Sequence, residues 1–207
     1  MLFAVALFFL QSTADLSGVT HGDPLPAPLA PAIASQLAPG GVRVTAGTNT
    51  LTFWFLKPGS ADGAAGKPLT WSDLKEGTLV GAVKIDKDFR DIRGRVVKAG
   101  TFTLRYGIQP ANGDHLGVSP YREFLLLSPV ALDSDPAPRG HDGTVEISKE
   151  AIGGSHPAVL SIDPPNASAA SLTVTTTELG HKAIVLDAPM SGGTLRFGLV
   201  LIGKIEA

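Results

Sequence analysis

The chain has no cysteine. That absence removes disulfides, thiolate metal sites, a cysteine nucleophile and the lipid-bearing cysteine of a bacterial lipoprotein. It does not argue against export. Charge is also scarce: Asp, Glu, Lys and Arg make up 17% of 207 residues, and the formal net charge is −2. With no long basic run, nucleic acid is not an expected partner. Helical periodicity is nearly missing as well. Residues 30–37, 72–75 and 148–152 each have room for a turn or two and no more. The five histidines (His21, His115, His141, His156 and His181) are scattered, with no pair at zinc-ligand spacing.

What is present is apolar and turn-rich. Hydrophobic residues are 43% of the chain, enough for a sizeable core, and 24 glycines with 16 prolines make up about a fifth of it. That balance suits many short strands joined by turns. Residues 99–127 concentrate the order. Phe102, Leu104, Tyr106 and Ile108 alternate with Thr101, Thr103 and Arg105, the period-two mark of a half-buried strand. The run 122–127 is more continuously apolar and reads as a central strand. Further strand-like runs cover 42–46, 50–57, 78–86, 92–97, 144–148, 158–162, 172–178, 182–187 and 194–202. Turn signals such as Pro58-Gly59-Ser60, Asn112-Gly113 and Ser191-Gly192-Gly193 separate nearly all of them, and Leu179-Gly180 marks a tight hairpin. About ten short strands without intervening helices predict an all-β fold, an antiparallel β-sandwich of jelly-roll or immunoglobulin-like type.

The chain opens differently. Residues 2–10 (LFAVALFFL) are an unbroken apolar run about half the length a spanning helix needs. Ser12-Thr13-Ala14 follows with the small residues a signal peptidase reads. The expectation is a signal peptide over 1–14, cleaved after Ala14, and a secreted or periplasmic protein with no transmembrane segment in its mature chain. No Lys or Arg precedes the run, a departure from the pattern that points to a start codon further upstream. Residues 15–41 carry five prolines and read as a leader; residues 42–207 read as one β-sandwich domain.

Candidate chemistry gathers in the loop 109–122. Asp114-His115 pairs a carboxylate with an imidazole, the types that orient a base or bind a metal. The competing reading is a turn whose side chains bond local amides. Ser119 adds the third residue type of a hydrolytic triad, but no G-x-S-x-G elbow surrounds it. Tyr121 and Arg122 begin the next strand, with Arg122 suited to a forked pair with a carboxylate such as Asp114, or to an anionic ligand. Trp54 lies in an apolar run and reads as core, whereas Trp71 lies in a loop and is the candidate for an exposed sugar-stacking platform. Asp133 and Asp135 are oxygen ligands of the kind calcium prefers, without the glycine and distal glutamate of an EF-hand; a solvated acidic loop is the alternative, and no cofactor is expected. The basic stretch 84–105 reads as a solvated face with cross-strand pairs, or a docking surface for polyanions. Asn166-Ala167-Ser168 matches a glycosylation sequon without further support.

The block VKAGTFTLRY over 97–106, with GDHLG at 113–117 and PYREFL at 120–125, resembles uncharacterised secreted bacterial β-sandwich proteins. The resemblance covers about thirty residues and implies a fold class. No activity is assigned to such proteins, so no catalytic residue is carried over. The functional expectation is a non-catalytic binding module for a glycan, a cell-envelope component or a protein partner, with Asp114, His115, Tyr121, Arg122 and Trp71 as candidate ligand contacts. The alternatives are a metal-dependent or hydrolytic enzyme using the 109–122 loop, and an extracellular assembly subunit pairing through sheet edges.

Overall fold

A computed structural model describes residues 16–58, 67–110, 121–165 and 168–203. Its strands are β1 (Leu16–His21), β2 (Gly41–Ala46), β3 (Asn49–Phe55), β4 (Pro68–Leu69), β5 (Leu79–Ile85), β6 (Phe89–Arg90), β7 (Val96–Val97), β8 (Gly100–Ile108), β9 (Glu123–Pro129), β10 (Val159–Asp163), β11 (Val174–Thr176), β12 (Lys182–Met190) and β13 (Gly193–Ile202). Two helices, α1 (Pro31–Ala34) and α2 (Gly140–Lys149), and a 3-10 turn at Trp71–Asp73 complete the described elements.

The fold is all-β. One sheet runs in the order β1-β2-β3-β5-β8-β9-β10-β13-β12-β11, antiparallel throughout, with β4 added in parallel to β13. β6 and β7 form a separate ribbon. The long sheet curls until its first strand approaches its far end: a Cβ on Gly18 of β1 would lie 2.5 Å from Ile184 Cδ1 of β12. A larger residue there would push the Ile184 side chain aside. The layers of the expected sandwich are therefore two halves of one nearly closed sheet.

The period-two pattern puts the main core inside the curl. Phe102, Leu104 and Tyr106 of β8 face inward with Leu125 and Leu127 of β9, Phe53 and Phe55 of β3, and Leu186 and Phe197 from the opposite half. The Phe55 and Phe197 rings meet edge to face at 6.5 Å, across the two halves. A second, smaller cluster lies on the outer face of β3 and β5. There Ile33 and Leu37, carried by α1 and the residues after it, cover Trp54, Leu79 and Ala82.

Four segments differ from the sequence reading. Residues 16–21, expected within the leader, form β1, paired with β2 from Leu16↔Ala46 to His21↔Gly41. Their apolar alternation is weak, and backbone pairing supplies what side chains do not. Residues 92–97 keep only two residues of strand, because Asp91 Oδ1 accepts the amides of Arg93 and Arg95, both at 2.9 Å, and folds the chain into a turn. The 172–178 run shortens to β11. Residues 144–148, expected as a strand, lie in α2. Val145 and Ile147 mimic alternation, but the buried residues are Thr144 and Ser148, four apart on one helical face. Asp142 in the first turn and Lys149 in the last suit the helix dipole.

The outer face of β8 is the largest departure. Thr103 and Arg105 belong to the face expected to meet water, and both are fully buried. The segment 133–139 and α2 cover them.

Candidate functional site

Residues 133–139 reach β8 through one side chain. Arg105 Nε donates to Asp133 Oδ2 at 2.6 Å and Nη2 to Asp133 Oδ1 at 2.8 Å. Nη1 donates to the carbonyls of Gly77 at 2.7 Å and Ala137 at 3.0 Å, and Nη2 also donates to the Asp135 carbonyl. All five guanidinium N–H groups are thus occupied. Asp133 further accepts from Thr103 Oγ1, and from Arg139 Nε at 3.1 Å. Burial alone would raise the Asp133 carboxyl. Hydrogen bonds from Arg105 and Thr103 and the charges of Arg105 and Arg139 outweigh it and hold the group below its ordinary value. The cluster is a clamp that fixes the covering segment to the sheet.

This alters the reading of Asp133 and Asp135. Asp133 is buried, not part of a solvated acidic loop. Its oxygens are taken by guanidinium and hydroxyl donors, while Asp135 Oδ1 accepts the Ala137 amide at 2.9 Å. The two carboxylates turn to different partners. Among the described residues no group of three or more His, Cys, Asp or Glu side chains is placed to hold a metal ion.

Beyond the clamp, α2 stands over the same outer face and leaves a cavity of about 290 Å³. Phe124 and Leu126 of β9, Val159 of β10 and Gly107 and Ile108 of β8 line its sheet side, in register through Gly107↔Phe124 and Val159↔Leu126. His141, Val145 and Lys149 line its helix side. They are spaced by four and so share one face of α2. Gly107 makes room for Leu126: a Cβ there would fall 1.9 Å from Leu126 Cδ1, and the leucine would have to turn away.

Polar groups occupy the two ends. At one end, Glu76 Oε1 accepts the Ile108 amide at 2.9 Å and lies 2.6 Å from His141 Nδ1. In neutral His141 this contact places the proton on Nδ1 and leaves Nε2 as an acceptor. Toward Lys149 stand His156 and Arg93, because Arg93 Nη2 is 3.4 Å from the Pro157 carbonyl and the next residue, Ala158, pairs with Ser148 beside Lys149. Arg93 Nε is buried with no hydrogen-bond partner. Of these residues the sequence reading noted the histidines and Arg93 but joined none of them. The His141, Val145, Lys149 spacing was the available signal, hidden by assigning 144–148 to a strand.

Of the expected contacts only Tyr121, Arg122 and Trp71 lie among the described residues. Asp114, His115 and Ser119 lie outside the described residues, as does the sequon's Asn166. Arg122 makes its fork, but on the Gln109 carbonyl, from Nε at 3.0 Å and Nη2 at 2.7 Å. The Gln109 amide returns a bond to the Arg122 carbonyl at 2.7 Å. The pair closes the stem of the 109–122 loop, and Gln109 and Pro110 at that stem also line the cavity. Tyr121 is half-buried, its hydroxyl pushed up by burial first and then by Asp163 and Glu178. Trp71 is no exposed platform. It is half-buried, stacked on Tyr106 with ring centres 5.1 Å apart and tilted against Phe197 at 5.4 Å. The Thr70–Asp73 capping box holds its turn. Burial pushes the Tyr106 hydroxyl up to about 12, aided by the charges of Glu123 and Glu76. Trp54 is core, as expected. In the basic stretch Lys84 pairs with Asp86 at 3.2 Å and Lys98 with Asp88 at 2.8 Å, while Lys87 and Arg90 donate to the carbonyls of Thr48 and Gly94.

Fold and cavity together define an all-β protein with one curled antiparallel sheet and a small helix-covered cavity on its outer face. Among the described residues no helix is long and apolar enough to cross a membrane, which says nothing of a β-barrel. No family model, curated protein or solved structure matches the chain.

Proposed function

We propose that the protein is an exported, non-catalytic binding module that takes a small, largely apolar component of the cell envelope beneath α2. The observation that carries this reading is the cavity itself. It is lined by Ile108, Phe124, Leu126, Val145 and Val159, and polar groups stand at its ends. Its volume of about 290 Å³ is at the small end of the range for ligand pockets. A glycan platform is less favoured, because Trp71 packs against Tyr106 instead of facing water. Export rests on the apolar run 2–10 and the small residues after it.

The test is titration with N-phenyl-1-naphthylamine, a neutral apolar fluorophore. Saturable binding at one site per chain is expected, and Val145→Trp should abolish it by filling the space while leaving the melting temperature near that of the parent. Binding that does not saturate, or that Val145→Trp leaves intact, refutes the reading. Fractionation of expressing cells tests export separately.

A second reading is favoured by one contact. The Glu76–His141 pair has the carboxylate–imidazole arrangement of a general base, at the mouth of the cavity. A hydrolase of this kind would turn over p-nitrophenyl esters, and His141→Ala would lower that rate at least to the background of buffer. No turnover by the parent protein removes this alternative.

A further inference from the structure

The two ends of the cavity are unequal, and the inequality selects a ligand class. His141 and Lys149 are eight residues apart on α2, about 12 Å along the axis. Apart from the charged and imidazole groups, the lining is mostly apolar, with Gln109 and Ser155 as its other polar side chains. The His141 end holds the Glu76 carboxylate, which repels an anion. The opposite end holds Arg93, His156 and Lys149.

The charges near that second end are only partly answered. Asp91 lies beside Arg93, but its Oδ1 is committed to two backbone amides, and its Oδ2 is 3.4 Å from Arg93 Nη2. A well-formed charge-assisted bond is about 2.8 Å. The other Nη2 contact, to the Pro157 carbonyl, is also 3.4 Å. Nε has no partner. Burial disfavours the charged guanidinium, and Asp91 offsets this only in part. Lys149 is paired with Glu146, whose side chain is 69% exposed, so solvent weakens that attraction.

We infer that the cavity ligand is an amphipathic monoanion, a carboxylate on a short unbranched apolar body, with its carboxylate at the Arg93–Lys149 end and its tail over Leu126 and Val159 toward His141. The inference rests on the binding reading above. A neutral molecule of the same shape would fill the apolar middle and leave Arg93 as it stands. An anion in the reverse orientation would meet Glu76.

Isothermal titration of the full chain with octanoate and with octan-1-ol tests it, since the two share an apolar body and differ in charge. Octanoate should bind at one site, at least about tenfold more tightly than octan-1-ol, the worth of one charge-assisted hydrogen bond. Lys149→Gln and Arg93→Gln should each weaken octanoate by about tenfold and leave octan-1-ol unchanged. Lys149→Gln keeps the test open if Arg93→Gln fails to fold. Equal affinity for the two probes overturns the inference, as does octanoate binding indifferent to Lys149→Gln. If N-phenyl-1-naphthylamine binds at one site and octanoate does not, the inference falls and the binding reading stands. If neither binds, both fall.

Discussion

The outer face of the sheet is covered twice, by opposite means. Over β3 and β5 the cover is apolar: Ile33 and Leu37 are fully buried against Trp54, Leu79 and Ala82. Over β8, β9 and β10 the cover is attached by a buried ion pair, and the helix beyond it leaves a cavity. Apolar side chains can adjust until contact is continuous, and the room the first cover leaves lies at its edge, a cleft of about 310 Å³ bordered by Gln36, Leu56 and Leu79. A guanidinium with five fixed donors dictates where its carbonyl and carboxylate partners lie. The second cover is therefore held at a set height, and space remains where α2 extends past the clamp. The lesson is that a polar anchor fixes where its cover stands, whereas apolar packing lets a cover settle onto the sheet.

The comparison breaks most sharply at Arg105. Arg105→Ala leaves the buried Asp133 with only Thr103 and Arg139 as donors and removes the donors to the carbonyls of Gly77, Ala137 and Asp135. A loss of about 3–5 kcal/mol is expected by urea denaturation. Arg105→Met with Asp133→Leu should recover part of that and stay below the parent, because the three carbonyls remain unanswered. Full recovery would show that the clamp contributes no more than apolar packing would. On the other cover, Ile33→Ala should cost about 2–5 kcal/mol, the usual range for emptying a buried aliphatic site, and should leave N-phenyl-1-naphthylamine binding unchanged. A change in probe binding would show that the two covers are coupled.

Acid sharpens the contrast further. The folded Asp133 carboxyl is held below its ordinary value. Its stabilisation is fully present above the unfolded-state value of about 3.9, and is lost as pH falls through the lower folded value. The Arg105→Met, Asp133→Leu variant should therefore lose less stability than the parent between neutral pH and that acid range, read as denaturation midpoints. Parallel curves would mean Asp133 is not the group responsible. The smallest effect is expected at Lys149→Gln, within about 0.5 kcal/mol by denaturation, since a partly exposed pair contributes little. A larger loss would make Lys149 part of the cover's support, not of the cavity's chemistry.

Much of the strand framework was legible because period two is local. Phe102, Leu104 and Tyr106 alternate with Thr101, Thr103 and Arg105 within one short run, and a strand must send the two sets to opposite faces. β3, β5, β9, β12 and β13 appear close to where their apolar runs place them. The cavity was not legible. Glu76 and His141 are 65 residues apart in the chain, and no local pattern joins them. The 109–122 loop drew attention through Asp114, His115 and Arg122, and among its described residues Gln109 and Pro110 border the cavity.

The sequence alone determined that this chain is built mostly of extended segments, that Phe102, Leu104 and Tyr106 share one face of β8, and where many turns fall. These follow from side-chain alternation and from glycine and proline, all local properties. Tertiary structure decided which outward-facing residues meet water. Arg105 reads as a surface residue in its own strand and is buried only because residues 133–139 return across it. Burial of that face depends on what the distant chain lays over it, and a strand's own pattern carries no record of that.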